Sequence, residues 1–220
     1  LALWEGHAGL REHTPPAVAA TVARTLGQQG RMTEAAALVN SALEAPALAP
    51  ELRIGLIEVL GNIQYGRGDI AAAAETYRQA LALAQAAGLR HLEARNHMHV
   101  GVALGDANRR REGLAALAEG LRLHTELGDG LAVTRTQVAL AEAWLDLGDY
   151  ERAEGLLLEC RTTLSRRQPT EFLIECEYRL SALYRDWHPP HGGVLALRHA
   201  HAALAHARQI TGCLLYTSPS

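Results

Sequence analysis

Eleven histidines, three cysteines and one run of arginines are the residues of this 220-residue chain whose chemistry could make a site. A metal held on a helix needs two imidazoles on one face, at spacing i, i+3 or i, i+4. His97 and His99 are two apart, and His199, His201 and His206 follow at two and five, so these helical pairs do not share a face. His188 and His191 have a chelating spacing within the turn His188-Pro189-Pro190-His191, but neither cysteine nor carboxylate is fixed beside them. Zinc or a disulfide framework would need paired, closely spaced cysteines, whereas Cys160, Cys176 and Cys213 are scattered. A chain without lysine has no G-x-x-x-x-G-K-[ST] phosphate loop, and no G-x-G-x-x-G follows a strand-like run. We therefore expect no catalytic residue, no cofactor and no metal. The run Asn108-Arg109-Arg110-Arg111-Glu112 could touch phosphates, yet one short basic run without interleaved aromatics falls short of a nucleic-acid footprint and reads as a solvated turn.

The elements that would carry such residues are helices. Hydrophobic residues make up 48% of the chain, dominated by Ala and Leu, with a single Phe, Phe172. Ala and Leu form helices, whereas β-branched and aromatic residues favour strands. All 21 basic residues are arginine and the net charge is only -3, so no global field draws in nucleic acid or an anionic membrane. No apolar run approaches the roughly 20 residues that span a bilayer. With few cysteines and no signal-like segment, the expected location is the reducing cytoplasm. The chain opens on Leu1, and Cys213 to Ser220 reads like a translated sequencing adapter. We therefore expect a metagenomic fragment: residues 1–14, with Leu3, Trp4 and Leu10, as the remnant of a preceding helix or repeat, and residues 212–220 outside the fold.

Self-similarity organises what lies between. Gly68-Asp69 with Ala73, Tyr77 and Ala80 matches Gly148-Asp149 with Ala153, Leu157 and Cys160 at an offset of 80. Halving it finds Asn108, Gly113, Leu117 and Gly120; adding 40 finds His188, Gly193, Leu197 and Ala200; and Gly30, Ala35, Val39 and Ala42 repeat the order with an offset of 38. Each copy has a small residue, a large one four on, and a small one three later, all on one helical face. Small residues admit a neighbouring helix and the large one fills the gap. Cys160 occupies a small slot and is expected to be a buried packing residue, since apolar surroundings blunt a thiol; Cys176 lies near enough that a redox link is conceivable.

Ahead of each copy runs another apolar-periodic stretch, such as Leu60-Gly61 with Tyr65, Val100-Gly101 with Leu104, or Leu140-Ala141 with Trp144. Each repeat is therefore a helical hairpin. Gly in the turns can end one helix in the left-handed conformation, and Asp or Asn can cap the next. The pattern predicts helices near 16–28, 32–44, 51–66, 70–87, 90–105, 109–127, 131–147, 150–167, 170–186 and 193–210.

Leu60-Gly61, the turn Gly68-Asp69, Ala73, Tyr77 and Ala80 resemble the hairpin signature of the tetratricopeptide (TPR) family, W-x2-L-G-x2-Y followed by A-x3-F. The departures are a period of 40 instead of 34 and the missing terminal Pro. Longer second helices of that kind are similar to repeats of large bacterial LuxR-like, ATPase-linked regulators. The resemblance implies an all-α, right-handed α-solenoid of about five hairpins, over approximately 15–49, 50–88, 89–128, 129–168 and 169–211. It implies a non-enzymatic protein-interaction module in signalling or transcriptional regulation. A protein, a peptide or a flanking domain of the same polypeptide would lie in the concave groove, with no nucleic acid or membrane bound.

By the repeat register the groove positions are Arg24, Glu58, Asn62, Tyr65, Arg95, Met98, Arg135, Glu142, Glu175, Tyr178 and Arg185. They offer Arg for carboxylates, Tyr and Met as apolar anchors and Glu for basic groups. They do not reproduce the two-carboxylate clamp of chaperone-binding relatives, since Glu58 stands a turn before Asn62 where a cation would be wanted. Two competing readings are a spacer or dimerising solenoid with no captured ligand, and a metal hydrolase using His188 and His191.

Overall fold

Interior repeats built from Ala, Leu and turn glycines leave one economical solution: two straight helices of equal length and two three-residue turns filling 40 residues. The computed structural model describes residues 2–6, 14–165, 171–187 and 192–216, and all regular structure among them is helical. In chain order the helices are α1 (Ala2–Gly6), α2 (Pro16–Gln28), α3 (Met32–Leu43), α4 (Pro50–Gly66), α5 (Ile70–Ala86), α6 (Arg90–Asp106), α7 (Arg110–Glu126), α8 (Gly130–Asp146), α9 (Tyr150–Ser165), α10 (Glu171–Trp187) and α11 (Gly192–Tyr216). Helices α4 to α8 are each 17 residues long, so the length beyond a 34-residue repeat is shared by both arms and not confined to the second helix. None of the described helices is long and apolar enough to cross a membrane.

The turns work as their residues suggest, with one exception. Gly68 has φ 85°, and the amides of Gly68 and Asp69 return to the carbonyls of Tyr65 and Gln64, both at 2.9 Å, closing α4 with its last carbonyls satisfied. Asn108 takes the same left-handed place after α6, with φ 61°. It therefore does not cap α7, contrary to its expected role; Arg109 is the cap residue and makes no side-chain cap bond. Asp129 and Asp149 do cap, accepting from the amides of Ala132 (3.0 Å) and Arg152 (3.2 Å), while Asp69 does not. The arginine run is partly neutralised, because Arg109 forks onto Glu112 at 2.8 and 2.6 Å.

The chain divides into two compact units, Leu1–Leu127 and Gly128–Ser220. In the first, hairpins α2/α3, α4/α5 and α6/α7 stack so that each second helix meets the next first helix, and consecutive first helices also touch. Its core runs from Ala23, Leu26, Val39 and Leu56 through Ala73, Tyr77 and Val100. Trp4 of α1 packs on that core and donates to Thr14 at 2.8 Å. In the second unit, α8/α9 and α10/α11 enclose Val138, Ala141, Leu157, Cys160, Cys176, Leu180 and Leu183.

The recesses are real. A Cβ on Gly61 would lie 2.5 Å from the Tyr77 ring, and one on Gly101 2.5 Å from Leu117 Cγ, so in these two hairpins the knob of the second helix seats on a glycine of its own first helix. Gly113 is tighter still, because a Cβ there would meet backbone, the Gly101 carbonyl at 2.6 Å and the Gly105 nitrogen at 2.9 Å. Backbone cannot step aside, so Gly113→Ala should destabilise by about 1–3 kcal/mol despite the better helix propensity of Ala. Gly155, in mid-helix with nothing within 4 Å of a built Cβ, should respond with the opposite sign, Gly155→Ala gaining roughly 0.5–1 kcal/mol. Urea denaturation of the two variants checks both signs.

The last repeat departs from the expected register. Ala153, Leu157 and Cys160 are buried, but their counterparts are Gly192, Ala196 and His199, an offset of 39, while Gly193, Leu197 and Ala200 face outward. The cause is polar. His199 Nδ1 lies 2.5 Å from Glu177 Oε2, its ring stacks on Tyr184 at 5.3 Å, and turning Leu197 inward would expel this buried pair. Burial, followed by a hydrogen bond to Glu154, pushes the Tyr184 phenol up to about 12.

Candidate functional site

In the first unit, α2 and α4 lie side by side, and a pocket of about 340 Å³ opens where exposed positions of both helices border the edge of the core. Its apolar side is Ala23, Val59, Ile63 and Met32, and its polar side is Arg24, Gln28 and Asn62. Asn62 is held in place by the Tyr77 hydroxyl, which donates to its Oδ1 at 2.7 Å and leaves the amide Nδ2 directed elsewhere. The amide orientation follows from that bond. Arg24 is exposed and forms no hydrogen bond or ion pair with the described residues. Most other surface arginines do: Arg31 pairs with Glu34 and Glu5, Arg122 with Glu119 and Glu126. A free guanidinium and a free amide beside an apolar floor can hold a carboxylate or backbone carbonyl next to an aliphatic side chain.

Of the remaining groove positions of this unit, Glu58 and Met98 are buried, and Arg95 and Tyr65 are half-buried. Glu58 is only 7% exposed and is gripped by Arg95 at 3.0 and 2.6 Å and by the Asn96 amide at 2.7 Å. The two expected ligand-binding charges thus satisfy each other. Met98 is 7% exposed and belongs to the packing between helices, so it is not a surface anchor as it stands. Tyr65 donates to Asp106 across α4 and α6.

In the second unit, Arg135 lies over the Phe172 ring at 5.3 Å, a cation–π contact. Glu142 and Glu175 both bind Arg179, at 2.6 and 2.7 Å, a cation absent from the expected groove positions. Its signal was the i, i+4 spacing from Glu175. Tyr178 is 61% exposed, and Arg185 pairs with Asp186 at 2.7 Å. Gln28 was likewise missed, because it sits in the last turn of a helix and not on the packing register.

The tempting chemistry is structural where it can be seen. His188 and His191 lie outside the described residues, as do the side chains of Leu3 and Cys213. No group of three or more His, Cys, Asp or Glu able to hold a metal occurs among the described residues. His99 stacks on Tyr77 at 5.0 Å. Cys160 and Cys176 are both free and buried; Cys160 donates to Gln137 Oε1 at 3.4 Å, and Cys176 to the Leu157 carbonyl at 3.5 Å. Hydrogen bonding with the Cys160 thiol, and then burial, push the Cys176 thiol up, away from thiolate nucleophilicity.

His97 is half-buried with Nδ1 unpartnered, and burial pushes its pKa down, outweighing the pull of Glu119 and Glu93 and joined by the repulsion of Arg122. A histidine whose folded pKa is depressed contributes stability that is complete above its unfolded value of about 6.5, and it is lost as pH falls below that value, because the unfolded chain takes the proton first. His97→Gln should therefore flatten the fall in thermal midpoint between about pH 7.5 and 5.5. Parallel curves for wild type and variant would contradict this.

No protein-family model and no curated protein sequence matches the chain. Solved structures do. Nearly identical TPR-like repeats assigned to a kinesin light chain of Podosopora anserina are 17% identical to this chain, with TM-score 0.69 over 90% of this chain and 96% of that one. BtubC (BKLC) from P. vanneervenii is 18% identical, with TM-score 0.70 over 93% and 82%. A Rap protein complexed with Competence and Sporulation Factor is 14% identical, with TM-score 0.74, the match covering 87% of this chain and 54% of Rap. At these identities the likeness is one of fold, and that fold is the all-α solenoid of TPR-like hairpins, repeating every 40 residues in its interior.

Proposed function

We propose that the chain is a peptide-binding interaction module whose anchor is the Arg24–Asn62 pocket of the first unit. The observation that carries this reading is the coincidence of two exposed donors that have no partner among the described residues, Arg24 and the Asn62 amide, with an apolar floor on adjacent first helices. Both donors face solvent, and beside an apolar floor they can exchange water for the acceptor of a ligand. A Rap protein of the same fold was determined with Competence and Sporulation Factor bound, which agrees with a ligand-binding use of this architecture. Tyr65 would extend the site along α4, and Arg135, Tyr178 and Arg185 are the corresponding candidates in the second unit. Glu58 and Arg95 would shape the wall without contacting ligand. The reduced, buried Cys160 and Cys176 support a cytoplasmic setting. The regulatory context is that of a larger polypeptide, as the long repeats suggest.

The test is a display selection of peptides on the immobilised chain, followed by anisotropy titration of a selected peptide. Arg24→Ala and Asn62→Ala should each weaken it by about tenfold or more, the loss expected for one hydrogen bond to a charged group. Equal affinity for wild type and both variants would overturn the pocket, and a selection that returns no binder would favour the spacer reading. Arg95 is unsuitable for such a test, since reversing it would set a second negative charge against the buried Glu58.

A further inference from the structure

The outward face of α11 differs from that of every other second helix. Aligned on the buried small–large–small positions, α5 carries Glu75, Arg78 and Gln85 where α11 carries Val194, Leu197 and Leu204. Those three are 77%, 64% and 52% exposed, the largest run of exposed apolar side chains in the described residues. With His201 they follow the spacing three, four, three, the seam pattern by which one helix receives another. From Val194 to Leu204 the seam is about 15 Å long, two to three turns.

The charges beside the seam indicate what fits it. Across Gly192–Tyr216 there is no aspartate or glutamate. Arg198, beside the seam, is exposed and forms no ion pair with the described residues, whereas the exposed Arg122 on α7 and Arg152 on α9 each have a carboxylate partner three or four residues away. A second copy of α11 would bring basic flanks against basic flanks. We infer that this face docks an amphipathic helix of a partner protein whose apolar stripe is bordered by glutamate or aspartate. This surface lies on the outer side of the last hairpin and is independent of the Arg24–Asn62 pocket. Apolar contact along the seam supplies affinity; the acidic border supplies orientation and partner choice.

The experiment uses the full chain and two synthetic 21-residue amphipathic peptides with leucine at the seam positions, one bordered by glutamate and the other by lysine, titrated by fluorescence anisotropy. The glutamate peptide should bind at least about tenfold more tightly than the lysine peptide, with a difference that shrinks as salt rises. The double variant Leu197→Gln, Leu204→Gln should lose that binding while its circular dichroism and thermal midpoint stay at wild-type values, since both side chains are exposed. Arg198→Glu should erase the preference between the two peptides. Equal binding of both peptides by the wild-type chain, no binding of either, or dimerisation in light scattering that the double variant abolishes would each overturn the inference.

Discussion

Replacing Leu117 by alanine should lower the stability of the first unit by roughly 2–5 kcal/mol, the range for removing a fully buried leucine from a site that cannot collapse. Leu117 is 1% exposed and its Cγ stands against Gly101, whose missing Cβ makes the recess it fills. The neighbours are backbone atoms of α6 and α7, held close by Gly101 and Gly113, so the cavity would stay open. Denaturant unfolding of the variant gives the number. A loss below about 1 kcal/mol would show that the repeat's knob lies elsewhere. The same geometry recurs at Tyr77 on Gly61, so two neighbouring hairpins share the interaction.

The second large effect is expected at the buried His199–Glu177 hydrogen bond of the last hairpin. Removing His199 leaves Glu177, itself 5% exposed, as a carboxylate without its partner in an apolar environment. Breaking such a pair typically costs about 3–5 kcal/mol, whereas replacing both members with apolar residues is close to neutral. His199→Ala should therefore loosen α11 from α10, visible as lost amide-exchange protection in α11. The pair His199→Leu, Glu177→Leu should recover most of it. If the single variant retains full protection, the pair is not what sets the register of the last repeat.

The slip of register at that point shows where sequence legibility ends. In the four preceding repeats a large residue is flanked by small ones at the right spacing, and burial follows: Val39, Tyr77, Leu117 and Leu157 are all inside. At the fifth, Gly192 and Gly193 are equally small and Leu197 is the obvious knob, so hydrophobicity alone points to Leu197. The structure chooses Ala196 because His199 then reaches Glu177, 22 residues earlier in the chain, and the i, i+4, i+7 pattern carries no information about such a partner. Turns were legible for a local reason, since a left-handed residue must end each helix; whether it was Asn108 or its neighbour that capped α7 was not.

The groove was legible as a face but not as a set of free groups. Position in the repeat puts Arg24 and Asn62 on first helices, and both line one pocket. It cannot say that Arg95 is consumed by Glu58, or that Arg179 reaches Glu142 of α8, because those pairings join helices whose side-chain reach depends on tertiary spacing. What separates Arg24 from arginines such as Arg31, Arg95 and Arg122 is that it pairs with no carboxylate of the described residues, and that became visible only with the helices in place.

The central claim, that the Arg24–Asn62 pocket captures a peptide, is tested most directly by nuclear magnetic resonance. On adding a display-selected peptide to the isotope-labelled chain, the Asn62 side-chain amide and the backbone amides of residues 23–28 and 59–63 should shift, and Asn62→Ala should suppress those shifts. Shifts confined to other helices, with the Asn62 amide unmoved at saturation, would contradict it.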